Sequence, residues 1–494
     1  MIKRDEMTEE YSSEMMVSVC DRRSGFDVNS EINVPEYLPE VRRVLNLSAR
    51  VQPPSKYVNG SVIECNGTVD HKLLYIGIDG NLYSVSESSD YSFSVPLDDL
   101  NGADASNGIT TLIGVCVESC NARLVSQRRV GAKVHLASRV RGYASINLCE
   151  EISGSADGEM QRLVREVENV SMEAVSSELM ELGEEVVGFS DDIRVIGVDA
   201  IPFVSDTKKG SGRVTADGDV FLKLLVCKDG GYPESVVRKL RFSTDIETDT
   251  NDGEYYCKVT PSVTDIAVNV DEGKISCDIS MVQNVTIVNN KKTKYTEDAY
   301  FVGRECDCKN AHIKSLMAVV CANGNFTVSE RVQMTGSAIP VGASVMDVWG
   351  SASFSDCVSE DGKYVFTGQG RYCILWGKDG EYGVYEVVLP IRYETDNKGA
   401  GVGSFDACAD VVSARARIDA DSISIDSEIA VQYDVMDGKE ICAVKECRVG
   451  EGVEKKKRGI IVYYPSGEES AWDVAKKYKV CASSLVSEKN YYIM

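Results

Sequence analysis

The chain has 494 residues, 43% of them hydrophobic and 26% charged, a composition that supports several buried cores and excludes wholesale disorder. Its formal net charge of −24 repels nucleic-acid phosphates and anionic membranes, so no nucleic-acid partner is expected. No apolar run is long enough for a transmembrane helix.

The first residues, MIKRDEMTEEYSSEMM, are charged and lack the apolar segment of a secretory signal, so an intracellular, cytoplasmic location is expected. Seventeen cysteines are spread along the chain, mostly in apolar runs such as RYCILW around Cys373. In such a compartment they read as reduced core thiols rather than a disulfide framework.

A repeat then emerges along the chain. LLYIGIDGNLYSV (73–85), LLVCKDGGY (224–232) and ILWGKDGEYGVYEV (374–387) each carry an Asp-Gly pair, at 79–80, 229–230 and 379–380. Asp-Gly tolerates the positive φ of a tight turn, so each predicts a hairpin. Upstream lie Ser-Glu pairs in alternating stretches, at Ser30, Ser177 and Ser329. Each hairpin is preceded by a segment (38–51, 190–200 and 342–352) with a polar start and apolar residues three apart, readable as a short helix or as a turn feeding a strand. Downstream, 122–140, 265–282 and 414–431 each hold two alternating segments around turn residues, VDEGK and IDADS in the last two.

The expected architecture is mainly β. It comprises three tandem β-rich repeats of about 150 residues each, sandwich- or barrel-like, at 20–155, 165–310 and 318–448. A connector at 154–170 carries a possible short helix, and EKKKRG at 454–459 reads as a solvated linker.

A different pattern closes the chain. GIIVYYP (459–465) reads as a strand, SGEES as a capping turn and SAWDVAKKYKV (470–480) as a helix; CASSLVSEKN (481–490) offers Ser483 or Ser484 as N-cap of a second. Residues 471, 474, 475 and 478 share one helix face. Tyr463 and Tyr464 alternate, so one should face outward.

Catalytic and metal-binding patterns are sparse. His71, His135 and His312 form neither HExxH nor a Cys/His metal pattern, and His71 and His135 sit in alternating strands. Cys306-Asp307-Cys308 and Cys116…Cys120 are isolated pairs, short of the four ligands of a closed zinc site, so no metal is expected. GAGVGS (399–404) lacks a following helix and reads as a loop; no phosphate loop or nucleophile elbow occurs. No enzymatic activity, catalytic residue or cofactor is expected.

The last 36 residues, 459–494, resemble a LysM domain, a strand-helix-helix-strand fold, through Trp472, Ala475, Tyr478, Val480, Leu485 and Asn490. The loop Gly467–Ser470 is one residue longer than the commonest form, and Tyr491-Tyr492-Ile493-Met494 must serve as the last strand. With the three units before it, the chain resembles the SPOCS-domain proteins of spore-forming Firmicutes. VPEYLPEVRRVL and the strand pair LLYIGIDGNLYSV…FSVPL carry that likeness in unit one, and VVLPI (387–391) echoes it in unit three; RFSTDI (241–246) in unit two lacks the proline. The resemblance implies a non-enzymatic adaptor in spore-coat assembly, working in the mother-cell cytosol at the forespore surface. It would dock to a coat-basement ATPase-type protein through the LysM-like module. Aromatic anchors dominate such interfaces, so partner contact is expected at Trp472, for which core packing is an equal reading, and at Tyr464, Glu469, Ser470 and Tyr478. The alternative the resemblance implies is LysM-type binding of peptidoglycan or another GlcNAc polymer.

Overall fold

The computed structural model describes residues 14–98, 108–148, 151–153, 159–176, 179–190, 192–228, 231–249, 255–334, 339–399, 401–419, 421–452, 461–464, 469–488 and 491–493. The protein is mainly β, built from several sheets. No helix among the described residues is long and apolar enough to cross a membrane.

The first stretch holds β1 (Glu14–Asn33), β2 (Val41–Val51), β3 (Ser55–Asn59), β4 (Val62–Gly77), β5 (Leu82–Pro96), β6 (Ile109–Ser126), β7 (Arg129–Asn147) and the short β8 (Glu151–Ser153). β2, β4 and β5 form an antiparallel meander, while β7 pairs with both β1 and β6. The second holds β9 (Met160–Ser176), β10 (Met180–Val186), β11 (Ile193–Gly210), β12 (Arg213–Lys228), β13 (Glu234–Glu247), β14 (Tyr255–Asp271) and β15 (Lys274–Phe301). Here β11-β12-β13 is the meander, and β15 pairs with β14 on one side and with β9 and β10 on the other. The third holds β16 (Arg304–Gln333), β17 (Ser344–Glu360), β18 (Lys363–Lys378), β19 (Glu381–Asp396), β20 (Ser404–Asp419) and β21 (Ser422–Gly452). β17-β18-β19 is its meander, and β21 pairs with β16 and β20.

Alternation puts one face of each hairpin against its meander. In the second stretch Val214, Leu222, Leu224 and Phe242 of the meander meet Val259, Ile275, Ile279 and Ile287 of the hairpin. In the third, Phe366, Tyr372 and Ile374 meet Ile425, Val431 and Tyr433. Burial of such side chains is the main favourable contribution to folding.

Several sequence readings meet the structure here. The segments at 38–51, 190–200 and 342–352 lead into strands β2, β11 and β17, not helices. The connector at 154–170 carries no helix among its described residues, since β9 begins at Met160 and pairs with β15. The interval 310–318 between the second and third expected units falls inside β16, a single strand of 30 residues. Asp379-Gly380 makes a two-residue hairpin with both φ positive, 49° and 78°, closed by the Lys378–Glu381 pair. At Asp79-Gly80 only the glycine is left-handed, and Asp79 instead accepts from the Asn81 amide at 3.1 Å and the Tyr83 hydroxyl at 2.6 Å. The second pair, at 229–230, lies outside the described residues.

The three stretches pack around one another. Leu74, Leu225 and Leu375, from the middle strands of the three meanders, meet in one buried cluster with Ile76, Leu82, Ile196, Cys227 and Tyr382. Polar contacts run around this hub. Lys72 Nζ donates to the Val198 carbonyl at 2.8 Å, Lys223 Nζ pairs with Asp347 at 2.6 Å, and Arg43 donates to the Tyr382 carbonyl. The hairpins meet equally closely. Met16 and Tyr143, Val170 and Val288, and Leu316 and Met436 share a second cluster. Beside it, the buried Asp434 of β21 receives Arg141 of β7 at 2.6 Å and the part-buried Lys258 of β14 at 2.9 Å, and Arg141 also pairs with Asp406 of β20 at 2.9 Å, so all three stretches contribute charge.

Candidate functional site

The C-terminal segment contains β22 (Val462–Tyr463), α1 (Ala471–Tyr478), β23 (Val486–Glu488) and β24 (Tyr491–Ile493), with a single 3-10 turn at Ala482–Ser484. The second helix expected from CASSLVSEKN is thus only that turn, and the chain passes into β23 directly after it. β24 pairs antiparallel with both β22 and β23, so YYI does act as a strand.

Helix α1 starts where the sequence directs it. Ser470 Oγ accepts from the Asp473 amide at 3.2 Å, and the Asp473 carboxylate accepts from the Ser470 amide at 2.8 Å. This reciprocal pair satisfies two amides that the first turn leaves without helical partners. Asp473 also places negative charge at the positive end of the helix dipole. Val474 and Ala475 are buried, and Lys479 ends the helix in the left-handed region at φ 54°.

The expected partner residues divide into two groups. Trp472 and the basic side of α1 face the β body. The Trp472 indole Nε1–H donates to Asp298 Oδ2 at 2.8 Å, its ring meets Tyr300 edge-on at 5.0 Å, and Lys476 pairs with the other Asp298 oxygen at 2.6 Å. The Tyr300 hydroxyl donates to the Val480 carbonyl at 2.7 Å, and the Gly303 amide donates to the Lys479 carbonyl at 2.8 Å. These contacts lie at the end of β15 and in the β15–β16 turn. Asp298 is positioned by a register shift between Thr296 and Asp298, a bulge that re-aims the side chain. Trp472 is therefore committed to the body.

The others lie outside that seat. Tyr464 is 68% exposed, whereas Tyr463 turns inward and meets Tyr478 edge-on at 5.5 Å. The Tyr463 hydroxyl donates to Glu469 at 2.9 Å and receives Lys477 Nζ at 2.9 Å. Tyr478, Lys477 and Glu469 thus gather around Tyr463, with both charges at the rim, while the Tyr464 side chain, next along the chain, is separately exposed. Ser470 is used within the helix cap. Asn490 and the loop 465–468 fall outside the described residues, as do 453–460, which contain the basic run.

Two other places could carry chemistry. A cleft of about 320 Å³ is lined by Glu173, Ser211, Arg213, Glu247 and Asp249, among others, with no histidine beside them. His71 is buried and contacts Ser30 at 3.3 Å; His135 is held by Asp27 at 2.7 Å; His312 faces Glu440 at 3.5 Å. The second place was invisible to spacing. Cys308 is paired across strands with Cys447, and Cys306 lies two residues along on the same face. Cys306 Sγ is 3.2 Å from Cys308 Sγ, which is 2.9 Å from Cys447 Sγ. Burial pushes the Cys306 thiol up to about 12 and the Cys308 thiol to about 11. No disulfide joins the described cysteines.

No protein-family model, curated protein or solved structure matches the chain.

Proposed function

We propose that this protein is a non-enzymatic adaptor of the spore envelope, a β scaffold that docks to a coat-basement ATPase-type protein through its C-terminal α+β module. On this reading it works in the mother-cell cytosol at the forespore surface. The observation that carries the proposal is the division of labour within the module. Trp472, Lys476 and the Lys479 and Val480 carbonyls hold it to the body, while Tyr464 is exposed and Tyr478, Lys477 and Glu469 gather around the Tyr463 ring. A small patch of aromatic rings rimmed by charge is a fitting anchor for a protein partner. The recurrence of one pairing scheme, a lead strand, a meander and a returning hairpin, supports three copies of one domain acting as scaffold. The strand-helix-strand order, with β24 returning to β22, supports the LysM-like reading of the module.

The test is retention of the purified coat-basement ATPase by the full chain, by Tyr464→Ala and by a chain lacking 459–494, beside fractionation of sporulating cells. Retention by the full chain, weakened about tenfold or more in Tyr464→Ala and lost on deletion, is expected, as for a hot-spot aromatic. Equal retention by all three chains, or an even vegetative distribution without a forespore-associated pool, would sink the proposal. Titration with a chito-oligosaccharide decides the competing reading: saturable binding abolished by Tyr464→Ala, without ATPase retention, would make the module a GlcNAc-polymer binder.

A further inference from the structure

The cysteines that sequence spacing left as an isolated pair become three in the folded chain. β16 supplies Cys306 and Cys308, and β21 supplies Cys447 from 139 residues further on. All three sulfur atoms lie within 4.8 Å of one another. Around them is an apolar shell of Ala299, Phe301, Val444 and Val449. Cys447 is buried, while Cys306 and Cys308 are partly open. The side chains of Lys476 and Lys479, both from the C-terminal module, act on these thiols as nearby positive charges.

We propose that Cys306, Cys308 and Cys447 form a thiolate site for a soft d10 cation, Zn²⁺ or Cu⁺, beside the docked C-terminal module. The geometry fits without rearrangement of the strands. At a metal–sulfur distance of about 2.3 Å, tetrahedral sulfurs stand about 3.8 Å apart, so the side chains need move by less than about 1 Å. Thiolate-rich sites select Zn²⁺ and Cu⁺ over harder cations. Each metal–sulfur bond replaces an S–H bond and releases its proton to solvent, with no change of oxidation state. Cu⁺ is satisfied by three sulfurs in a plane, whereas Zn²⁺ keeps a fourth position for water on the open side. Three thiolates leave either complex with net negative charge, which Lys476 and Lys479 offset. Loading the site therefore strengthens the attachment of the module that carries those lysines.

The experiment uses the reduced, metal-free full-length chain under anaerobic conditions. It is titrated with Co²⁺ as a spectroscopic probe, with Zn²⁺ against a chromophoric chelator, and with Cu⁺ against bicinchoninate. One equivalent per chain is expected, with a thiolate-to-cobalt charge-transfer band. Both should be lost in Cys447→Ser and Cys308→Ser and kept in Cys357→Ser, a buried cysteine in the core of the third stretch. The Zn²⁺ and Cu⁺ arms identify the cation. In the wild-type chain, the binding cation should also raise the melting temperature and slow proteolysis of the module. The proposal is overturned if the wild-type chain binds neither cation, if stoichiometry survives in Cys447→Ser, or if the three thiols instead yield a Cys308–Cys447 disulfide and ignore both metals.

Discussion

Asp434 shows how much one side chain can hold. Burial would raise its carboxyl pKa, but the charges of Lys258 and Arg141 outweigh that and hold it well below the usual carboxylate range. Asp434→Asn leaves Lys258 facing a neutral amide and Arg141 with only the half-buried Asp406, at 2.9 Å, and removal of one partner of such a cluster costs up to about 3–5 kcal/mol. Urea denaturation at pH 7 should show that loss as a lower midpoint with an unchanged slope. The pH dependence follows from the sign of the shift. A carboxyl with a lowered folded pKa gives its full stabilisation above its unfolded value of about 3.9 and loses it as the pH falls toward the folded value. Wild-type stability should therefore drop more steeply below about pH 4 than that of Asp434→Asn, measured by the same denaturation series. Nothing in the sequence marks Asp434 among 77 acidic residues, because its role depends on two cations brought from 176 and 293 positions away. Cys447 was illegible for the same reason, since only the register of β16 on β21 sets it beside Cys308.

Among the elements, turn chemistry and alternation were the readable features. VDEGK closes β14 onto β15 through Glu272 and Gly273, both at positive φ, as its composition suggests. The connector 154–170 misled because the apolar residues in its second half fall three and four apart, and local pattern alone cannot settle helix against strand. Pairing with β15 makes it a strand. The C-terminal helix was legible from its cap and its apolar face, but its anchor was not, since a bulge in β15 aims Asp298 at it. Trp472→Ala removes the charged hydrogen bond to Asp298 and the contact with Tyr300. Limited proteolysis should then release the segment after residue 452 at least about tenfold faster, with the main melting transition little changed, because each such bond is worth about 1.5–3 kcal/mol. Ser470→Ala should destabilise α1 by about 1 kcal/mol, read as faster amide exchange in its first turn.

At the scale of the molecule, the 150-residue spacing predicts three copies of one unit without saying whether they pack together; in the structure the second and third stretches have cores of their own, and further buried clusters join all three. The Leu74–Leu225–Leu375 hub and the ion cluster at Asp434 each need all three stretches. Residues 159–303 expressed alone would expose Leu225, Cys227, Val288 and Lys258, and should give an aggregating or poorly dispersed product by NMR. The intact chain should melt in one main transition by calorimetry. Two transitions, or a well-folded isolated second stretch, would show the units to be independent.

The β15–β16 turn has a mechanical consequence under the adaptor role proposed above. It joins strands of 28 and 30 residues, and the module hangs from it through Asp298, Tyr300 and Gly303. Ladder hydrogen bonds lie across the strands. A pull on the module along the strand direction is therefore resisted by many bonds in shear at once, rather than by bonds opened one after another. Under tension, the weakest connection is then the small apolar and ionic seat of the helix. The module would detach before the scaffold tears, and it could settle back once the strain is relieved.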